Sequence, residues 1–221
     1  MIPPMKRTEL EGDVVVLSPH LDDAALSLGA AISRATRKSV RVTVLTVLAG
    51  DPASTEPAGE WDRSSGFATA GEAALARREE DFRACERLGA RPVWLPYGDE
   101  QYERGATDDE VRTAVVEAAG KGLVLLPGFP LAHDDHRWLH DLLLDAFEPG
   151  RLGLYAEQPY AAFVGEPPPR SWTRLRAGLG DRRRKLAAYQ AYASQHGLLG
   201  KVTWPILRYE LRQRGESALL P

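Results

Sequence analysis

Short apolar runs alternate with stretches of helical spacing along most of this chain, and that alternation predicts its architecture. Val14 to Leu17, Val40 to Leu48, Pro92 to Leu95 and Leu123 to Leu126 are brief and rich in valine and leucine, as strands covered on both faces require. From Asp22/Asp23 to Arg37 the apolar residues Ala24, Leu28, Ala31 and Ile32 recur at helical spacing. Ala70 to Leu88 repeats the pattern and stops at Gly89, the residue type that most readily takes a left-handed C-cap conformation. Thr107-Asp108-Asp109-Glu110 has the form of a capping box and opens a helix expected to end near Gly120. This order of strand and helix predicts an α/β fold with a largely parallel sheet and right-handed crossovers.

Two segments break the rhythm. Ala49 to Thr69 is too long and too rich in glycine, proline and serine for an ordinary connector, and its Trp61 and Phe67 suggest that it folds over something, with a simple surface Ω-loop as the alternative. Glu166-Pro167-Pro168-Pro169 is a second, stiffer break, after which Asp181 to Gln195 reads as a basic helix with Arg182 to Arg184 on a solvated face. No internal repeat is present. With 221 residues the expectation is one domain. The net charge of -3, with both signs interspersed, argues against a nucleic-acid or anionic-membrane partner and for a small-molecule substrate. The single cysteine, Cys85, and the lack of a secretory apolar run in Met1 to Glu11 favour a reducing cytoplasm. No apolar run approaches the roughly 20 residues needed to span a bilayer, so membrane insertion is not expected. A homo-oligomer is compatible with the sequence.

The chemistry gathers at two strand ends. The first run leads into Ser18-Pro19-His20-Leu21-Asp22-Asp23, and the fourth leads toward His133-Asp134-Asp135-His136. In an open parallel sheet, ligands bind at the carboxyl ends of strands where neighbouring crossovers diverge, so the two clusters are expected to share one crevice. Taken singly, each has a plain structural reading: aspartate is a favoured N-cap residue, and histidines three apart can share a solvated helix face. Together they supply nitrogen and oxygen donors suited to a catalytic zinc with three protein ligands and an open position. His20, Asp23 and His136 complete such a set and leave Asp22 as general base. His133 is then placed to stabilise an oxyanion or protonate a leaving amine, and Asp135 to fix an imidazole tautomer. His140 and His196 lack such context.

Pro19-His20-Leu21-Asp22-Asp23 with Ala24-Ala25-Leu26-Ser27, and His133-Asp134-Asp135-His136, resemble the two signature motifs of the PIG-L/LmbE-like zinc-dependent deacetylases. Thr46-Val47-Leu48-Ala49-Gly50 resembles the family's second strand and loop, Arg77-Arg78-Glu79-Glu80 with Leu88-Gly89 its Arg-x-x-Glu helix, and Lys185 with Ser194-Gln195 its C-terminal pattern. The resemblance runs from about residue 13 to about 196, leaving 197 to 221 as a C-terminal extension. It implies a Rossmann-like three-layer sandwich, one Zn2+ per chain with other divalent metals possible, and removal of an N-acetyl group from an amino-sugar-like substrate. It places the ligands on His20, Asp23 and His136, the base on Asp22 and the transition-state histidine on His133. Leu21 and Ala24 stand where the family usually has proline and glutamate; neither change removes a ligand.

The same resemblance makes Arg77 a candidate for a substrate hydroxyl or phosphate, against the plainer alternative of an i,i+3 ion pair with Glu80. Asp99, after the third strand, is a candidate for sugar hydroxyls, with a turn-forming role as the alternative. Tyr155 to Tyr160 should follow a fifth strand, with Gln158 and Tyr160 as pocket-lining candidates. Other functions remain open at this stage. One is hydrolysis of a non-sugar amide or an ester, and another is a metal-bearing binding protein without turnover. A nucleotide-binding role is disfavoured because no Gly-x-Gly-x-x-Gly follows the first strand.

Overall fold

The computed structural model describes residues 8–221; residues 1–7, within the N-terminal segment discussed above, and the side chains of His196 and of positions 198–200 and 202 lie outside the described residues. Seven strands form one sheet: β1 (Val14–Ser18), β2 (Val42–Thr46), β3 (Arg91–Trp94), β4 (Leu123–Phe129), β5 (Leu152–Ala156), β6 (Thr173–Arg174) and β7 (Ser217–Leu219). Their order is β3-β2-β1-β4-β5-β7-β6. β3 through β5 are parallel, and β7 pairs antiparallel with both β5 and β6. The helices are α1 (Asp23–Arg37), α2 (Glu60–Ser64), α3 (Ala70–Leu88), α4 (Asp108–Ala119), α5 (Asp134–Leu143), α6 (Tyr160–Val164), α7 (Leu179–Tyr189) and α8 (His196–Gln213).

The apolar runs become strands because two cores need them. Val14 and Val16 point into one core with α1, α3 and α7, whereas Val15 and Leu17 point into the other with α4 and α5. All four are buried. A period of two thus serves both faces of the sheet, which explains why the runs read as continuously apolar rather than alternating. α3 ends as the sequence predicts, with Gly89 at φ 75°. α4 opens on a complete Thr107/Glu110 capping box.

Three local expectations are corrected, and the 49–69 segment gains detail. The second apolar run forms a strand only over Val42–Thr46. Tyr155 lies within β5 rather than after it, and its hydroxyl donates to the Leu17 carbonyl at 2.9 Å. Asp181 to Gln195 is not one helix: α7 ends at Tyr189, and a 3-10 turn at Ala193–Gln195 leads into α8. The 49–69 segment contains a helix of its own, α2, and is pinned by the Pro57 to Thr69 bridge. Gly71 lets this segment lie close to α3, since a Cβ there would come 2.3 Å from the Ser54 carbonyl oxygen.

The residues beyond 196 are built into the sheet. β7 lies between β5 and β6, and α8 returns the chain to that position. Its anchor is Lys185, whose Nζ meets Glu210 at 2.5 Å and Glu216 at 2.6 Å, all three side chains being buried. Glu216 also accepts the backbone N–H groups of Ala30 and Ala31 in α1. Among the described residues no helix is long and apolar enough to cross a membrane.

A candidate metal centre and active site

β1 lies between β2 and β4, so the crossovers leaving β1 and β4 pass to opposite sides and open a crevice at the strand ends. The chain leaving β1 tightens at once. Ser18 Oγ accepts the Ala24 N–H at 3.0 Å and donates to the His20 carbonyl at 2.6 Å, while Asp23 Oδ2 accepts the His20 N–H at 2.8 Å. The Ser18 hydroxyl thus takes up one N–H at the start of α1. Asp22, at its N-cap position, makes no side-chain cap bond, and its carboxylate is left to line the crevice. At the end of β4, His133 occupies the N-cap of α5, its Nδ1 accepting the Asp135 N–H at 3.2 Å.

The two strand ends meet. His20 Nδ1, His136 Nε2 and Asp23 Oδ2 form a triangle with sides of 3.2, 3.1 and 3.2 Å. Ligands about 2.0–2.1 Å from a tetrahedral zinc would be separated by roughly 3.3 Å, so these three atoms can hold such an ion. His133 also brings a ring nitrogen within 4.8 Å of donor atoms on His20 and His136, a looser grouping than the triangle containing Asp23.

Each histidine is oriented by a carboxylate on its far side. His20 Nε2 lies 3.1 Å from Asp135 Oδ2, and His136 Nδ1 makes a short hydrogen bond to Glu157 Oε2. A carboxylate only accepts, so the outer nitrogen of each ring carries a proton, and with a cation in the triangle the inner nitrogen would offer it a lone pair. Glu157 is held in turn by the Leu131 N–H at 2.8 Å. Burial works against an imidazolium at His136, yet Asp23 and Glu157 lift its pKa to about 9. Burial likewise opposes a charged His20, and Asp135 and Asp23 outweigh it. Burial would raise Asp23, but His136 and His20 hold its carboxyl well below the usual range. The surroundings thus favour positive charge among the three donors.

Asp22 responds differently. Burial and the neighbouring Asp23 push its pKa up to about 6, with His20 and Arg77 pulling the other way. His133 is lowered by burial and by His20 and His136, which favours a neutral ring whose Nε2 carries the proton while Nδ1 caps α5. That Nε2 lies 3.6 Å from Glu100 Oε1.

Above these groups is a cavity of about 490 Å³, within the usual range for small-molecule sites. Its wall brings together Asp22, His133, Arg77, Asp99 and Tyr160 from the candidates named on sequence grounds. Gln158 is a correction: its side chain is buried outside the cavity lining, and its backbone N–H donates to Ser27 Oγ. The Arg77 to Glu80 pairing is not formed either. Arg77 Nη2 stands 2.6 Å from Asp62 Oδ1, a close ion pair not aligned as a hydrogen bond, and Glu80 accepts the N–H and hydroxyl of Ser194. Asp99 both lines the cavity and caps its own turn, accepting the Gln101 N–H at 2.9 Å.

Sequence reasoning missed Glu157, Arg104 and Asp62. Glu157 directly follows β5, the strand beside β4, and that placement was the available signal. Arg104 sits in an irregular segment and Asp62 in the five-residue helix α2, neither with a pattern in the sequence to mark it. Trp61, noted only as a loop aromatic, lines the cavity and donates from Nε1 to Gln195 Oε1 at 3.2 Å.

The family described as PIG-L, GlcNAc-PI de-N-acetylase, matches residues 15–147. The diacetylchitobiose deacetylase of Thermococcus kodakarensis is 33% identical over 133 residues, which are 56% of this chain and 45% of that protein. The 2'-N-acetylparomamine deacetylase of Streptomyces fradiae is 34% identical over 169 residues, 68% of this chain and 58% of that one. The chain therefore spans about half the length of the curated relatives it matches. The crystal structure of the antimicrobial reagent A40926 pseudoaglycone deacetylase is similar with a TM-score of 0.75 at 27% identity, covering 98% of this chain and 97% of that one. With the family match running from β1 through the end of α5 and over more than half of the sequence, the chain belongs to the PIG-L family.

Proposed function

We propose that this protein is a zinc-dependent amide hydrolase that removes an N-acetyl group from an amino-sugar-containing small molecule. The observation that carries the reading is the triangle of His20, Asp23 and His136 donors, with tautomers fixed from behind and an uncapped Asp22 beside it. These three residues would hold the cation. When bound, zinc supplies Lewis acidity that polarises a carbonyl and lowers the pKa of water from about 15.7 to about 7.

The chain's own groups divide the remaining work. Asp22 accepts a proton from the attacking water, whose oxygen bonds to the acyl carbon, and passes that proton to the amine nitrogen as the C–N bond breaks. His133, neutral and protonated on Nε2, donates to the oxygen on which negative charge develops. Arg77 and Asp99 present a donor and an acceptor to hydroxyls of a sugar, and Trp61, Tyr160 and Tyr192 supply flat apolar surface. The substrate class is supported by the activities for which the relatives are named, deacetylation of diacetylchitobiose and of acetylparomamine. A cytoplasmic setting is supported by Cys85, which is buried and unpaired.

The test is amine release from a panel of N-acetylated amino sugars and their conjugates, using chelated and zinc-reconstituted protein with metal content measured on the same samples. Zinc-dependent release is expected. Stoichiometric metal without release from any member would overturn the amino-sugar assignment and favour another amide or an ester.

A further inference from the structure

Asp135 is almost fully buried, and both of its oxygens are committed. Oδ2 accepts from His20 Nε2 and from the Glu100 N–H, each at 3.1 Å. Oδ1 accepts from Arg104 Nη2 at 3.0 Å. Arg104 is itself held in place: its guanidinium lies 3.8 Å from the centre of the Trp138 ring, and Nη1 reaches the Gly98 carbonyl at 3.5 Å. Trp138 in turn donates to Asp108 at the start of α4. A chain of contacts thus runs from α4 through Trp138, Arg104 and Asp135 to the outer nitrogen of His20.

Charge accounts for only part of an arginine at this position, where it neutralises the buried Asp135 carboxylate. Near a site that takes a cation, a guanidinium opposes binding through Coulomb repulsion. Its geometry explains it better. Without Arg104, Asp135 Oδ1 would be a buried acceptor with no partner, which is costly. A turn of the carboxylate would relieve that cost only by breaking the bond that sets the His20 ring and tautomer.

We propose that Arg104 is a positioning residue for the cation site, fixing Asp135 and through it the His20 imidazole. This rests on the reading of His20, Asp23 and His136 as cation ligands. Partners behind metal-binding histidines commonly change affinity by about 10- to 100-fold when removed. Because Arg104 acts at one remove and its charge works the other way, the expected loss is near the lower end, about 10-fold.

The experiment measures zinc affinity by competition with a chromophoric chelator, alongside thermal melting of the metal-free protein. The variants are Arg104→Gln, Arg104→Lys, Asp135→Asn and the Arg104→Gln/Asp135→Asn double. Glu103→Ala, exposed on the same loop, is the control. Arg104→Gln should weaken zinc binding about 10-fold, Arg104→Lys should recover part of the loss, and Glu103→Ala should change nothing. If Arg104 acts through Asp135, the double variant should bind no more weakly than Asp135→Asn alone. Unchanged or tighter binding in Arg104→Gln would overturn the proposal, as would additive losses in the double. A fall in melting temperature of the metal-free protein without a change in affinity would also overturn it and assign Arg104 to packing. If the wild-type protein bound no zinc, the ligand reading itself would fail, and the Arg104 proposal with it.

Discussion

At the residue scale, the division of labour between Asp22 and Asp23 follows from which backbone groups need them. Asp23 accepts the His20 N–H and faces two imidazoles, whereas Asp22 has no capping bond and meets mainly burial and its acidic neighbour. Adjacent carboxylates of the same type are thereby driven apart, one ionised beside the histidines and the other able to exchange a proton near neutral pH. Asp22→Asn is expected to lower kcat by about 10²- to 10⁴-fold while zinc content stays near one per chain, measured by steady-state kinetics and metal analysis. Glu157→Gln should act differently. It removes the acceptor that fixes His136, so zinc affinity should fall by about 10- to 100-fold, as read by chelator competition. An unchanged affinity would remove Glu157 from the site.

At the element scale, the site's wall depends on how the C-terminal segment is tied down. Gln195 and Lys201 reach the cavity from the 3-10 turn and α8, and α8 is anchored by Glu210 and Glu216 on Lys185. Lys185 fits because it passes Gly29 of α1, where a Cβ would lie 2.9 Å from its Cγ. Burial raises the pKa of Glu210, and Lys185 is the main influence holding it down. Lys185→Met removes the cation and leaves two carboxylates in a dry site, a change expected to cost about 3–5 kcal/mol. Urea unfolding would show it as a lower midpoint; a loss below about 1 kcal/mol would mean that the cluster is not an anchor.

At the scale of the whole molecule, Asp81 joins three distant segments and gives stability a pH dependence. From α3 it accepts the Trp94 indole N–H at the end of β3 and the Tyr192 hydroxyl at the cavity wall. Burial pushes its pKa up to about 7 from an ordinary 3.8, while both hydrogen bonds pull it down. Between those values the folded protein binds a proton that the unfolded chain has released, so this residue makes stability fall as pH rises through the interval. The full effect is on the order of 4 kcal/mol. Unfolding free energies from pH 4 to 8 should show that decline in the wild type and a flatter profile in Asp81→Asn. Equal slopes in the two proteins would sink the assignment.

What the sequence by itself determined was whatever local periodicity and capping control. The five parallel strands follow from short apolar runs, apart from β5, whose Gly153 interrupts the pattern. α3 and α4 follow from helical spacing closed by Gly89 and opened by Thr107. His20, Asp22, Asp23, His133, Asp135 and His136 were legible because each group sits within a few residues of a strand end, and parallel topology brings such ends together. Only the tertiary structure decided the rest. β7 is three residues long and owes its place to pairing with β5 and β6, not to any pattern of its own. Glu157, Arg104 and Asp62 acquired partners 21, 31 and 15 positions away, at His136, Asp135 and Arg77. Such pairings are set by how the strand ends and loops converge in space, and no local spacing encodes that convergence.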